Sequence, residues 1–191
     1  MSGINLNGNW KAGWAIELHT ISSIPLGGGV FDTTYTETGE SLNKLKYHND
    51  FSQISILAQK AVEFFKTRLV TPYLNVILPV PPSNIDRARQ PVYEIAIEIG
   101  KSLNIFVDFD YLYKKKKTEQ LKDITDPIER EEILKNSFGV KDLRYKDSKV
   151  LLFDDLYRSG ATLREITKVL YENGRVQNVY VLTLTKTRTR R

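Results

Sequence analysis

The residues best suited to chemistry in this chain are two adjacent aspartates, Asp154 and Asp155, which follow the apolar run Val150 to Phe153. Such a run predicts a buried strand. A short loop, Arg158 to Thr162, follows two residues later and leads into a predicted helix at Thr162 to Glu172. Ligands of open α/β sheets collect where strands end, so this segment is the first candidate for a binding site.

The loop has the features of a phosphate site. Backbone N–H groups at a helix N-terminus point towards a bound anion, and the helix dipole favours negative charge there. Gly160 lets the backbone approach a phosphate closely, while the hydroxyls of Ser159 and Thr162 can donate to its oxygens. The two aspartates can accept hydrogen bonds from ribose hydroxyls and hold water around Mg²⁺. Together they predict a phosphate and a ribose bound side by side.

The elements that must position this segment alternate between strands and helices. Apolar residues at every second position predict a half-buried strand from Trp10 to Leu18, and helical spacing follows from a cap near Asp50 or Ser52 to Phe65. Further strands and helices are predicted at Val76 to Val80, Gln90 to Leu103, Ile105 to Tyr113 and Asn178 to Leu184. This alternation predicts an α/β fold whose central sheet is mostly parallel, with helices on both faces.

Composition limits the classes of protein that fit. The chain of 191 residues has the size of one domain, and it contains no cysteine, which excludes disulfides and thiolate metal sites. No apolar run is long enough to span a bilayer, and we expect a cytoplasmic protein with no membrane partner. The formal net charge of +5 comes from Lys114 to Lys117 and from the C-terminal cations between Lys186 and Arg191. Nucleic acid is therefore expected to bind at most weakly, through the C-terminal tail.

The strand, the acidic pair and the Ser159-Gly160-Ala161-Thr162 loop resemble the 5-phosphoribosyl-1-pyrophosphate (PRPP) motif of type I phosphoribosyltransferases. Within that superfamily the chain looks most like the ComF group. Other stretches that carry this resemblance are Leu45-Lys46-Tyr47, Leu78-Pro79-Val80-Pro81, Arg87, Gln90, and Thr118 to Phe138 with Gln120, Arg130 and Asn136. The resemblance covers roughly Leu42 to Leu184.

The resemblance implies a type I phosphoribosyltransferase-like fold with roles for particular residues. Asp154 and Asp155 would be catalytic, orienting the ribose and holding Mg²⁺ mainly through water. The loop Arg158, Ser159, Gly160, Ala161 and Thr162 would bind the 5-phosphate. Pyrophosphate would meet Ser83, Asn84, Arg87 and Arg89, together with Lys115 at the start of a mobile flap.

The resemblance also implies a division of the chain. We expect one domain over residues 1–191, with an N-terminal antiparallel β appendage at 1–40, a core at 42–184 and a basic tail at 185–191. The appendage cannot be the cysteine-rich zinc finger of many ComF relatives, because the chain has no cysteine. Arg158 also stands where purine-salvage members often have an acidic residue, which weakens the case for a 6-oxopurine acceptor.

Two functions follow from these observations. One is a glycosyltransferase of nucleotide metabolism, which transfers the phosphoribosyl group from PRPP to a small nitrogenous acceptor and releases pyrophosphate. The alternative is a regulatory module that senses PRPP or a nucleotide and contacts nucleic acid without turnover. A homodimer is a candidate assembly for either. The sequence shows no partner for the two histidines, His19 and His48, and leaves the role of Lys46 open.

Overall fold

The fold is organised around a central sheet. The computed structural model describes residues 3–82, 89–115 and 132–188. The strands of these ranges are β1 (Ile4–Asn5), β2 (Ala12–Leu18), β3 (Thr20–Gly27), β4 (Val30–Tyr35), β5 (Val76–Pro79), β6 (Leu112–Lys114), β7 (Phe138–Val140), β8 (Lys149–Tyr157) and β9 (Asn178–Lys186). Five of them form the central sheet in the order β1-β2-β9-β8-β5. The four strands from β2 to β5 in this order run parallel, and β1 is antiparallel at the edge.

Helices cover both faces of the sheet. They are α1 (Glu37–Tyr47), α2 (Gln53–Lys66), α3 (Pro91–Leu103) and α4 (Ala161–Glu172), with a 3₁₀ turn at Thr71–Tyr73. Helices α1, α2 and α3 share one buried apolar cluster with Leu151 and Phe153 of β8. Helix α4 and the hairpin β6–β7 share the other cluster with Val150 and Leu152. The alternation of side chains along β8 thus divides the core into two layers and confirms the predicted α/β class.

The local signals place the helices well. Helix α3 begins at Pro91, and proline suits this position because an N–H in the first turn has no partner within the helix. The helix ends before Asn104, which has the left-handed conformation. Helix α2 begins after Ser52, whose N–H and hydroxyl both donate to Asp50 Oδ1. None of the helices in the described ranges is long and apolar enough to cross a bilayer.

The N-terminal segment divides between two sheets. Strand β2 pairs with β9 in parallel and is therefore part of the central sheet. The antiparallel appendage is the hairpin β3–β4, which turns at Gly27 to Gly29. Period-two spacing identified β2 as a strand, but it carries no information about the partner strand, which lies more than 160 residues away in sequence.

Strands β8 and β9 are longer than their apolar runs predict. Asp154 pairs with Thr183, and Leu156 with Thr185, so both aspartates lie within β8 instead of after it. Lys186 belongs to β9 and Thr187 N donates to the Tyr157 carbonyl at 2.9 Å, so the tail expected from residue 185 begins later. Backbone pairing with a neighbouring strand outweighs side-chain polarity at these positions.

Asp108 fixes the chain between α3 and β6. Its carboxylate is 5% exposed and accepts hydrogen bonds from the N–H groups of Asp110 and Tyr111, from the Tyr145 hydroxyl and from Arg144. Burial raises the pKa of Asp108, but these hydrogen bonds outweigh burial and hold it below its ordinary value. A group with a lowered folded pKa stabilises the fold above its unfolded pKa and loses this effect as the pH falls.

We expect Asp108→Asn to lower the free energy of unfolding by about 2 kcal/mol at pH 7, since hydrogen bonds to a charged acceptor are lost. The difference from the natural protein should shrink as the pH falls below about 4. Urea unfolding from pH 3 to pH 8 measures this, with Asp147→Asn as a control because Asp147 is exposed. A difference that stayed constant with pH would show that charge is not the cause.

Candidate functional site

The candidate site lies at the carboxyl ends of the parallel strands β2, β9 and β8. These strand ends form the edge of the sheet on which the site lies. Asp154 and Asp155 occupy this edge on β8, with Thr185 on β9 and His19 directly after β2. Asp155 and Thr185 are buried, whereas Asp154 and His19 are partly exposed. The structure thus brings the acidic pair together with two polar residues from neighbouring strands.

Lys46 forms an ion pair with Asp155 across this edge. Its Nζ lies 2.5 Å from Asp155 Oδ2, and the two side chains are 24% and 8% exposed. Lys46 stands in the last turn of α1, where its positive charge also suits the helix dipole. Burial of an unpaired carboxylate is costly, and Lys46 provides the cationic partner for Asp155.

Helix α1 is attached to the sheet at both ends, which fixes the position of Lys46. At its N-terminus Thr36 Oγ1 donates to the Leu18 carbonyl at 2.6 Å and accepts from Gly39 N at 3.1 Å. The N–H of Thr38 donates to the Glu17 carboxylate at 3.1 Å. These contacts tie the start of α1 to the end of β2, while Lys46 ties its last turn to β8.

The two aspartates differ in their electrostatic surroundings. Burial, reinforced by the negative charge of Asp155, raises the pKa of Asp154 well above its ordinary value, and Lys46 offsets this only in part. Burial lowers the pKa of Lys46, but the charge of Asp155 and the hydrogen bond to it outweigh burial, so the pKa is raised. Asp154 is therefore the carboxylate that gains most from an added cation or hydroxyl donor.

The predicted phosphate loop bends around Tyr157. Gly160 has a φ of +78°, and a β-carbon there would lie 2.5 Å from the Tyr157 hydroxyl oxygen. Arg164 Nη1 donates to the Ser159 carbonyl at 3.0 Å and holds the loop against the first turn of α4. Both the backbone conformation and the close approach explain why glycine occupies position 160.

Helix α4 begins directly after this loop, so its N-terminus lies beside the loop residues. Gly160 is its N-cap residue, and no side chain caps the helix, although Ala161 N reaches Ser159 Oγ at the long distance of 3.4 Å. The N–H groups of the first turn are the unsatisfied donors of any helix start. With the exposed Arg158 and the hydroxyl of Thr162 beside them, they can bind a phosphate group.

Two of the residues predicted to bind pyrophosphate, Arg89 and Lys115, lie within the described ranges. Arg89 makes a bidentate pair with Glu94, at 2.7 and 2.5 Å, and its guanidinium stacks 3.8 Å from the Phe51 ring centre. Lys115 lies beside the hairpin β6–β7, where its N–H donates to the Ser137 carbonyl. Ser83, Asn84 and Arg87 lie outside the described residues, as does the predicted flap from residue 116 to residue 125.

The acidic pair suits a Mg²⁺ ion that keeps most of its water. Mg²⁺ commonly binds to one or two carboxylates and to phosphates of the substrate, without a complete set of protein ligands. Among the described residues, no three acidic or histidine side chains cluster as a metal site. Asp154 and Asp155 are the two carboxylates on β8 at these strand ends that could hold such a hydrated ion.

Sequence reasoning missed two parts of this site. The role of Lys46 was left open, because its contact with Asp155 joins residues that are distant in sequence and leaves no local pattern. Its place in the Leu45-Lys46-Tyr47 stretch was the available signal. The sequence shows no partner for His19, because the spacing of β2 does not encode its partner strand.

Comparison with solved structures gives several distant matches, whereas no family model matches the chain and no curated protein matches its sequence significantly. The glutamine PRPP amidotransferase of B. subtilis is 20% identical with a TM-score of 0.46, over 69% of this chain and 26% of that protein. This chain therefore matches only about a quarter of that protein's length. The hypoxanthine phosphoribosyltransferase of Staphylococcus aureus is 17% identical with a TM-score of 0.43, over 73% and 70% of the two chains. The adenine phosphoribosyltransferase of Saccharomyces cerevisiae is 11% identical with a TM-score of 0.43, over 88% and 92%.

We expect Lys46→Met to lower the free energy of unfolding by about 3 kcal/mol, because it leaves the buried Asp155 charge without its partner. Adding Asp155→Asn should recover most of this loss. Lys44→Met is the matched control: Lys44 lies on the same helix and pairs with Glu40 at 2.8 Å, but both side chains are about half exposed. That control should cost no more than about 0.5 kcal/mol. Urea unfolding compares the variants, and equal effects of the two lysine changes would contradict the buried ion pair.

A second expectation concerns Gly160. Gly160→Ala should be more destabilising than Gly28→Ala by about 1 to 3 kcal/mol, because only the former forces a β-carbon into Tyr157. Gly28 also has a positive φ, of +58°, but no atom lies within 4 Å of a β-carbon there. The pair separates the cost of the backbone conformation from that of the clash. Thermal unfolding decides the matter, and equal losses would mean that the loop does not press on Tyr157.

Proposed function

We propose that this protein is a type I phosphoribosyltransferase of the ComF-like group. It binds PRPP with Mg²⁺, transfers the phosphoribosyl group to a nitrogenous acceptor and releases pyrophosphate. The observation that carries the proposal is the continuous segment from Asp154 to Thr162, in which two carboxylates at a strand end are followed by a glycine loop and a helix N-terminus. A ribose 5-phosphate presents hydroxyls and a phosphate in the same order.

The ribose is recognised by the acidic pair. Carboxylate oxygens accept hydrogen bonds from vicinal hydroxyls, and the ion pair with Lys46 holds the Asp155 carboxylate in position for this purpose. A carboxylate already held in place loses little conformational freedom when the sugar binds. Asp154, with its raised pKa, gains its donors from the ligand and from the cation that accompanies it.

The 5-phosphate is bound by the loop and by α4. The N–H groups of the first turn and the hydroxyl of Thr162 can donate to a phosphate at the N-terminus of α4. The positive end of the helix dipole favours an anion at this position. Arg158 adds an exposed cation beside them. Because Arg164 holds the Ser159 carbonyl, the loop keeps its conformation before the phosphate arrives.

The reaction requires alignment more than a covalent nucleophile. The acceptor nitrogen forms a bond to ribose C1 while the bond from C1 to the pyrophosphate oxygen breaks, through a transition state with oxocarbenium character. Residues that hold both ends of the ribose phosphate supply the alignment. Mg²⁺, when bound, neutralises the charge that develops on the leaving pyrophosphate. Arg87 and the lysines near Lys115 are the proposed protein partners of that leaving group.

We expect Asp154→Asn combined with Asp155→Asn to weaken PRPP binding in the presence of Mg²⁺ by at least about 100-fold, since two charge-assisted acceptors are lost. Isothermal titration calorimetry measures this. Asp32→Asn combined with Asp147→Asn is the matched control, because it removes two exposed carboxylates. The control should bind PRPP as the natural protein does. Equal PRPP affinity of all three proteins would remove the proposed function.

A further inference from the structure

His19 is held rigidly at the same edge of the sheet as the acidic pair. Its backbone N–H donates to the Lys186 carbonyl at 2.8 Å, and its backbone carbonyl accepts from Thr36 N at 3.3 Å. Helix α1 approaches so closely that a β-carbon at Gly39 would lie 1.9 Å from the His19 carbonyl oxygen. The backbone of His19 is thus fixed between β9 and the start of α1.

The imidazole is connected to Asp155 through one hydroxyl. His19 Nδ1 lies 3.1 Å from Thr185 Oγ1, and the fully buried Thr185 hydroxyl donates to the Asp155 carbonyl at 3.4 Å. A hydroxyl has a single proton, so a hydroxyl that donates to Asp155 must accept from His19. In this hydrogen-bond arrangement Nδ1 carries the ring proton, which leaves the lone pair of the neutral ring on Nε2.

The surroundings of the ring favour its neutral form. Burial is the main cause that lowers the pKa of His19, and the positive charges of Lys46 and Arg158 add to it, while Asp155 opposes them. Tyr35 of β4 packs its ring edge-on, with the centroids 5.4 Å apart. The Glu17 carboxylate, on β2 two residues before His19, accepts a hydrogen bond from Thr38 N. At neutral pH the ring is thus a proton acceptor with a fixed tautomer.

We propose that His19 accepts the proton of the acceptor nitrogen during phosphoribosyl transfer, an inference that rests on the proposed function. The nitrogen lone pair forms the bond to ribose C1, the bond from C1 to oxygen breaks, and pyrophosphate leaves with that electron pair. The proton released by the nitrogen moves to His19 Nε2, which becomes an imidazolium. Atoms and charges balance without any further reactant.

Other groups at this edge are less suited to the task. Asp155 is held by Lys46, and in the proposed complex both aspartates accept ribose hydroxyls. The chain has one more histidine, His48, which is exposed at the C-cap of α1. His19 is therefore the group at this edge that combines a neutral basic nitrogen with a fixed position.

His19→Asn tests the proposal without removing the structural contact. The asparagine amide can donate to Thr185 in place of Nδ1 but has no basic nitrogen in place of Nε2. His48→Asn is the matched control. Calorimetry with PRPP and Mg²⁺ measures ligand affinity, and pyrophosphate release is followed from pH 5 to pH 8 with adenine, hypoxanthine and uracil as probe acceptors.

The supporting result is a rate of pyrophosphate release that is reduced at least about 100-fold in His19→Asn. The PRPP affinity of this variant should stay within about 2-fold of that of the natural protein. The natural protein and His48→Asn should lose activity as the pH falls, because an imidazolium cannot accept a proton, and His19→Asn should lack this dependence. Unchanged release by His19→Asn, or a parallel loss of PRPP affinity, overturns the proposal. So does the absence of release with every probe while PRPP binds.

Nitrogen NMR of the His48→Asn protein, which retains one histidine, provides a test that needs no ligand. The expected spectrum at pH 7.5 shows a protonated Nδ1 and an unprotonated Nε2. The opposite tautomer overturns the assignment of His19 whether or not PRPP binds. Failure of PRPP binding itself, seen by calorimetry, counts against the proposed function and is thereby distinguished from failure at His19.

Discussion

The ion pair between Lys46 and Asp155 is the interaction on which the arrangement of the candidate site depends. A buried carboxylate is costly unless a cation accompanies it, and here the cation is Lys46, in the last turn of α1. The pair therefore has two effects. It gives the buried Asp155 carboxylate a cationic partner, and it ties the last turn of α1 to β8. Helix α1 in turn holds the carbonyl of His19.

Much of the fold could be predicted because its determinants are local. The apolar run before Asp154, the helical spacing from residue 53 and Pro91 at the start of α3 each identified an element. The boundaries of β8 and β9 were wrong in the same direction, since strand pairing continued through polar residues such as Asp154 and Lys186. Pairing is a property of two distant segments and has no local signature.

Only the part of the candidate site that has local determinants could be predicted. Its central segment is continuous in sequence, so the loop and the acidic pair could be recognised together. Lys46 and His19 reach the site through α1 and β2, whose positions depend on the completed sheet. Arg89 contacts the Glu94 carboxylate and the Phe51 ring, and neither contact could be read from local spacing.

The parallel pairing of β2 with β9 also constrains how the chain could be shortened. Strand β9 has β8 on one side and β2 on the other, and β2 is in turn bordered by β1. A fragment that started at Leu42 would expose the edge of β9 that pairs with β2, from Tyr180 to Lys186, which is mostly buried in the intact protein. Unprotected edges of this kind pair with other chains. The N-terminal strands thus protect the sheet from self-association, in addition to placing His19.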